Sequence, residues 1–386
     1  MSRVIIENIG KIVSGDINTP FVEGDTIVVE TGKIEAVGHR DTLVTAGAIQ
    51  VIDADGCMVW PGLIDSHVHP VVGDYTPRQQ TSNFIDSCLH GGVTRMISAG
   101  EVHIPGRPND ALGLKSLAIL TAKSFETFRP SGVKVMGGGL VLHPDLTEGD
   151  FEEMAFAGIK HLGEVGLGPL HDWELAATMI SWARQYQMTS MMHIGGASIP
   201  GSNVVGAEAM LTVQPDVASH LNGGPTAAPL ADIERIIVES NAALEVIQCG
   251  NVPIIPDIIN LVKRYDALDR LIIGTDMPSG TGVIPLGMLR TMSWITALGD
   301  ILPEQAVAAA TGNTANVYKL PAGRIAPGLE ADLIIVDAPL GSQAINSLDA
   351  LKIGDTPAIA AVLIDGNLEV NLSRNTPPPQ KTIKVT

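Results

Sequence analysis

The chain predicts an α/β architecture: a (β/α)8 TIM barrel plus a small β-sandwich formed by both chain ends. Between about residues 58 and 325, short apolar strands alternate with longer segments of helical spacing, as in repeated βα units. Both flanks read instead as short strands broken by Gly, Asp and Asn turns. Metal-capable side chains recur at the C-terminal ends of the predicted barrel strands, the face where such barrels carry their sites. The chain has 386 residues, and a barrel of roughly 250 leaves room for a second unit. A doubly wound open sheet is the alternative, but no Gly-rich dinucleotide fingerprint supports it.

In chain order, Val4–Ile6, Thr26–Val29, Ile34–Val37 and Val51–Ile52 read as strands, with a hairpin turn at Thr31-Gly32-Lys33. The apolar run from Met58 through Ile64 leads into His67-Val68-His69 and reads as one strand, buried on both faces. Further barrel strands end near Ala99, Gly137, Glu164, His193, His220, Gln248 and Asp276. Helical spacing occupies Gly113–Phe128, Trp173–Tyr186, Leu230–Asn241 and Pro253–Tyr265, with Asp172 as an N-cap. Strand texture returns at Ala331–Asp337 and Ala360–Val370, the latter turning at Asp365-Gly366. The predicted boundaries are 1–57 with 326–386 for the composite β domain and 58–325 for the barrel. Asn375–Gln380 opens a Pro-rich tail, expected to be a loose end or, less readily, a strap onto a neighbouring subunit.

Composition narrows the function classes. Apolar residues make up 45% of the chain, yet no run reaches the roughly 18 residues of a membrane span. The N-terminus lacks a secretion signal's pattern, and Cys57, Cys88 and Cys249 are too scattered for a disulfide framework, so a reducing cytoplasm is expected. A net charge of −18 disfavours nucleic acid and anionic membrane as partners, and 4% aromatics disfavours a base-stacking platform.

Six side chains form the predicted metal set: His67 and His69 on the first strand, Glu164 on the fourth, His193 on the fifth, His220 on the sixth and Asp276 on the eighth. Imidazoles two residues apart on a strand share a face, and a divalent cation compensates their burial. Two ions about 3.5–4 Å apart need an anionic bridge. Glu164 is the expected bridge, with His67, His69 and Asp276 on one ion and His193 and His220 on the other. Such N/O ligands suit Zn2+ or Fe2+, with Mn2+ also accommodated. Ions of this kind lower the pKa of bound water from 15.7 to about 7, yielding hydroxide at neutral pH. Asp276 is then the group that carries the nucleophile's proton to a leaving nitrogen. Lys160, as a carbamate, is the rival bridge. His103 and His143, after the second and third strands, are within reach of a substrate, whereas His161 is expected to point away from Glu164.

The segments Pro61–His69 and Gly323–Asp337 resemble the first-strand signature and the C-terminal return of the amidohydrolase superfamily, over essentially the whole chain. The resemblance implies a metal-dependent hydrolase of amide, amine or ester bonds, often in rings. Gly73–Gln79, His90–Thr94, Gly163–Gly168, His220–Thr226, Gln248–Asn251 and Pro278–Gly287 resemble a member acting on a cyclic enamide. That member converts 6-oxo-1,4,5,6-tetrahydronicotinate to 2-formylglutarate and ammonia. It also implies a glutamate bridge and a homotetramer. The implied substrate is a small anion, for whose carboxylate Arg78 and Arg107 are the candidate partners. Pro70 after the HxH pair and Gly274-Thr275 before Asp276 depart from the pattern and bear on substrate identity rather than on the ligands. The alternatives are another ring amidohydrolase, such as a dihydroorotase or hydantoinase, or a catalytically inactive scaffold of the same fold.

Overall fold

A computed structural model describes residues 3–72, 81–104, 106–197, 202–224, 226–278 and 282–386. Eight strands follow one another as β1 (Leu63–Val68), β2 (Val93–Ser98), β3 (Lys134–Met136), β4 (His161–Val165), β5 (Thr189–His193), β6 (Val217–Ser219), β7 (Ala243–Ile247) and β8 (Leu271–Gly274). A helix follows each in turn: α1 (Thr81–Leu89), α2 (Ala111–Thr127), α3 (Glu148–Phe156), α4 (Trp173–Gln185), α5 (Ala207–Val213), α6 (Leu230–Glu239), α7 (Ile255–Arg264) and α8 (Gly287–Ala297). Within β1–β3 and within β4–β8 the neighbours pair in parallel. Single parallel bridges, Leu140 to Leu162 and Val68 to Met277, close the two arcs into a ring.

The helices form where the sequence supplies caps and an apolar stripe. Asp172 caps α4 by accepting from the amides of Glu174 and Leu175 at 3.0 and 3.1 Å. On α7, Ile255, Ile258, Ile259 and Val262 recur at helical spacing and are all buried. Each such side chain contributes about 1.5–3 kcal/mol by leaving water.

Both chain ends contribute to two further sheets. One contains Arg3–Glu7, Thr26–Glu30, Lys33–Gly38, Gln50–Asp53 and Lys384–Val385. The other contains Lys11–Val13, Phe21–Val22, Met58–Pro61, Leu333–Asp337, Ala358–Ile364 and Asn367–Asn371. Ile6 and Ile27 of the first share an apolar core with Ile12, Leu333 and Ile335 of the second. The expected turns occur: Thr31-Gly32 and Asp365-Gly366 adopt positive φ at both positions, as a two-residue hairpin requires.

Three sequence expectations are corrected. The run Met58–His69 is two strands rather than one. Met58–Pro61 pairs with Leu333–Asp337, and the first barrel strand begins only at Leu63. A side chain at Gly62 would stand 2.2 Å from the Thr94 hydroxyl, so the chain can cross between sheets there only as glycine. The tail is not a loose end: Lys384–Val385 pairs with Ile52 and Asp53, and the Asn375 amide donates to Ser87 O at 2.8 Å. Prolines cannot donate, so the Pro-rich stretch is held through the Pro378 carbonyl, which accepts from Leu340 N at 2.8 Å. Finally, His161 does not point away from the barrel interior. The pairing of β4 shifts register between His161 and Glu164, which breaks simple alternation. His161 Nε2 meets Ser98 O at 2.8 Å, and its ring faces Tyr318 in the barrel floor.

Lys134, at the N-terminal end of β3, joins the barrel to the C-terminal strands. Its Nζ lies 2.9 Å from Asp332, 2.6 Å from Glu330 and 2.6 Å from Asp365, and Arg95 also pairs with Glu330. Burial disfavours the Lys134 charge, but the carboxylates, Asp332 foremost, outweigh it and raise its pKa. Removing the cation leaves the buried Asp332 carboxylate with Arg95, at 3.9 Å, as its remaining ion-pair partner among the described residues. Lys134→Met is therefore expected to lower unfolding free energy by about 3–5 kcal/mol, measured by urea denaturation; a loss below about 1 kcal/mol, the scale of a surface pair, contradicts this role.

Candidate metal centre

The strand ends of the barrel bring all six predicted ligand side chains together, and five of them are fully buried. Glu164, near the end of β4, lies at the middle. Its Oε2 is 3.3 Å from His67 Nε2 and 3.6 Å from His69 Nε2. Its Oε1 is 2.6 Å from His220 Nε2 and 3.7 Å from His193 Nδ1. Asp276 Oδ1 is 3.1 Å from His69 Nε2 and 3.6 Å from His67 Nε2. One carboxylate thus presents an oxygen to each of two imidazole pairs, with the second carboxylate beside the first pair.

The outward nitrogen of each imidazole is engaged, which decides the one that faces inward. His67 Nδ1 meets Glu245 Oε2 at 2.8 Å, and His69 Nδ1 meets Gly100 O at 2.9 Å. His220 Nδ1 meets Ile194 O at 3.1 Å, and His193 Nε2 meets Gly196 O at 2.7 Å. Each ring therefore donates from its outward nitrogen, and the inward nitrogen is the one that can ligate a cation once it carries no proton. His67 Nε2 is buried and has no hydrogen-bond partner among the described residues, Glu164 Oε2 standing 3.3 Å away. His193 Nδ1 and His220 Nε2 face one another at 3.2 Å. Inward-facing ring nitrogens beside two carboxylates are a donor set that a divalent cation satisfies.

The charges are interdependent. Burial pushes the Glu164 carboxyl up, but the His67 and His220 imidazoles outweigh it and hold it well below the usual carboxylate range. Burial likewise opposes ionisation of Asp276, while His67 and His69 bring its pKa down. Burial disfavours the His67 cation, yet Glu164, Glu245 and Asp276 together raise its pKa well above that of free imidazole.

Two of the six residues occupy left-handed backbone: φ is +36° at His220 and +57° at Asp276. Each such non-glycine residue costs about 1–3 kcal/mol and persists only where its surroundings hold it. Asp276 N donates to His67 O at 2.8 Å. Asp65 binds the same corner: it accepts from Thr275 N at 2.9 Å, Thr275 Oγ1 at 2.6 Å and His67 N at 3.2 Å. Burial pushes the Asp65 carboxyl up to about 7 despite these donors.

The remaining sequence candidates separate. Lys160 is exposed and precedes β4, so the carbamate alternative is set aside. His143 engages its own loop, accepting from Asp145 N at 3.2 Å. The His103 ring stands 5.1 Å from that of His69, edge to face, at the open rim. Partial burial and the His69 imidazole bring the pKa of His103 down to about 4. Arg107 is partly buried, its Nη1 has no hydrogen-bond partner among the described residues, and its charge acts on His103. Arg78 lies outside the described residues. Sequence reasoning missed Asp65 and Glu245. The available signal was a carboxylate placed mid-strand in an apolar run, as in Ala243-Leu-Glu-Val-Ile247, where an unpaired charge is too costly to be incidental.

Residues 58–368 match the amidohydrolase family. The chain is 52% identical over 385 residues to an enamidase from Eubacterium barkeri, covering 100% of both proteins. A crystal structure of enamidase superposes with a TM-score of 0.96, again at 52% identity and over 100% of each chain. A dihydroorotase from Pelotomaculum thermopropionicum is 26% identical, covering 87% of this chain and 89% of its own. With a family match across most of its length and a histidine–carboxylate cluster at the barrel mouth, this chain belongs to the amidohydrolase family.

Proposed function

We propose that the chain hydrolyses the cyclic enamide 6-oxo-1,4,5,6-tetrahydronicotinate to 2-formylglutarate and ammonia at a centre of two divalent metal ions. The observation that carries the chemistry is Glu164, buried with one oxygen toward each imidazole pair. Full-length similarity to an enamidase supports the substrate class. In this reading His67, His69 and Asp276 would hold one ion and His193 and His220 the other, and Glu164 would serve both. Zn2+ and Fe2+ suit these ligands, and Mn2+ is a third candidate.

When bound, the ions supply Lewis acidity toward the lactam carbonyl and bring the pKa of water to about 7. Asp276, kept ionised by His67 and His69, accepts the proton of the attacking water and delivers it to the ring nitrogen as the C–N bond breaks. The opened enamine tautomerises to an imine, and a second water replaces its nitrogen to release ammonia. Arg107 offers the Nη1 of a partly buried guanidinium, whose charge acts on His103, for the substrate carboxylate, and His103 in turn stands against His69. Arg78 is the other candidate cation.

The two terminal sheets are read as one composite β-sandwich domain, with the barrel inserted at Gly62. No helix among the described residues is long and apolar enough to cross a membrane. A cytoplasmic homotetramer completes the proposal: its assembly rests on the family resemblance, and its compartment accords with three buried free thiols.

The purified protein is expected to hold about two divalent ions per chain and to release ammonia from tetrahydro-oxonicotinate in preference to dihydroorotate or hydantoin. Turnover of either of the latter without the former refutes the substrate assignment, and fewer than one ion per chain favours the inactive scaffold. Glu164→Ala should lose bridged-ion occupancy, measured by elemental analysis, together with activity; unchanged metal content removes Glu164 as bridge. Arg107→Ala should lower kcat/KM by roughly 10- to 100-fold, mainly through KM, the scale of one charge-assisted contact. A change below about twofold eliminates Arg107 as the carboxylate partner.

A further inference from the structure

Glu245 lies mid-strand in β7, completely buried beneath the imidazoles. Its Oε2 is 2.8 Å from His67 Nδ1 and 3.1 Å from the His220 backbone nitrogen, while its Oε1 accepts from Ser66 Oγ at 2.5 Å. No lysine or arginine among the described residues pairs with it. Gly274 leaves room for this arrangement: a side chain there would stand 2.7 Å from His67 Cβ and 3.1 Å from Glu245 Oε1.

We infer that Glu245 is a positioning residue that couples the two halves of the metal centre, an inference that rests on the two-ion reading. Through His67 Nδ1 it fixes the tautomer and aim of a ligand in the His67–His69–Asp276 half. Through the His220 amide it anchors a ligand of the other half, at a residue held in left-handed backbone. A buried carboxylate without a cation is costly. Ions held by the ring above supply part of the missing compensation, so Glu245 and metal occupancy stabilise one another reciprocally. No other single side chain among the described residues contacts both His67 and the His220 backbone in this way.

The test uses the full-length holoprotein and Glu245→Gln, which keeps the shape and removes the charge. Affinity for both ions, measured by chelator competition, should fall about 10- to 100-fold. In the cobalt-substituted protein the visible ligand-field spectrum should shift. kcat should fall, with KM held within about twofold because substrate contacts lie elsewhere. Wild-type protein with fewer than one ion per chain defeats the two-ion reading itself. Two ions in wild type, with unchanged affinity and cobalt spectrum in E245Q, overturn the role of Glu245 alone. A loss confined to one ion overturns the coupling. Should E245Q fail to fold, Ser66→Ala carries the test. Freeing one carboxylate oxygen should weaken both ions by about 2- to 12-fold, the scale of one typical net hydrogen bond, and wild-type affinity overturns the inference.

Discussion

The buried Glu164 carboxylate, shared between two pairs of imidazoles, is the interaction on which the rest of the centre depends. An ionised carboxylate in a barrel mouth is unfavourable unless cationic or donor groups surround it. Four histidines from three strand ends, those of β1, β5 and β6, meet that need, and they can converge only because the strand ends of a closed barrel converge. The single-bridge closures at Val68–Met277 and Leu140–Leu162 therefore have functional weight. The first brings Asp276 against the HxH pair, and the second flanks the strand that carries Glu164.

The same demand explains where the backbone is strained. His220 and Asp276 must turn their side chains inward just as their strands end, and both do so in left-handed conformation. Their surroundings hold them there. Asp65 clamps Thr275 and His67 together, and Glu245 clamps His67 and His220. Two buried carboxylates that face away from the inward nitrogens thus hold the geometry of those that face toward them. This is positioning by hydrogen bonds to carboxylates whose own burial makes those bonds costly to break.

Much of this was legible before the fold was known, for a specific reason. Ligands of a barrel centre sit at strand C-termini, so His67, His193, His220 and Asp276 each mark the end of an apolar run. What sequence spacing missed was local departure from regularity. The register shift in β4 reversed the expected side of His161, and a glycine crossing at Gly62 divided one apolar run between two sheets. The supporting carboxylates were hidden for the opposite reason. Glu245 sits inside its strand rather than at its end, and its partners are 25 and 178 residues away. No local pattern encodes contacts of that range.

The net charge of −18 poses a remaining constraint, because the proposed substrate is itself an anion. A surface of that sign slows encounter with anions unless the local field is reversed. Bound cations would reverse it at the reacting carbonyl, but they lie where the bond breaks, not where a ring substituent rests. A second, fixed positive charge at some distance from the ions is therefore required. Arg107 meets that description: a partly buried guanidinium whose Nη1 has no hydrogen-bond partner among the described residues and whose charge acts on His103, the ring that stands against His69. Burial of a guanidinium nitrogen without an acceptor is unfavourable in the free protein, and a carboxylate is the group that relieves it. The unfavourable contact would then be relieved only when the anion binds, so the acidic surface need not weaken capture once the substrate has entered.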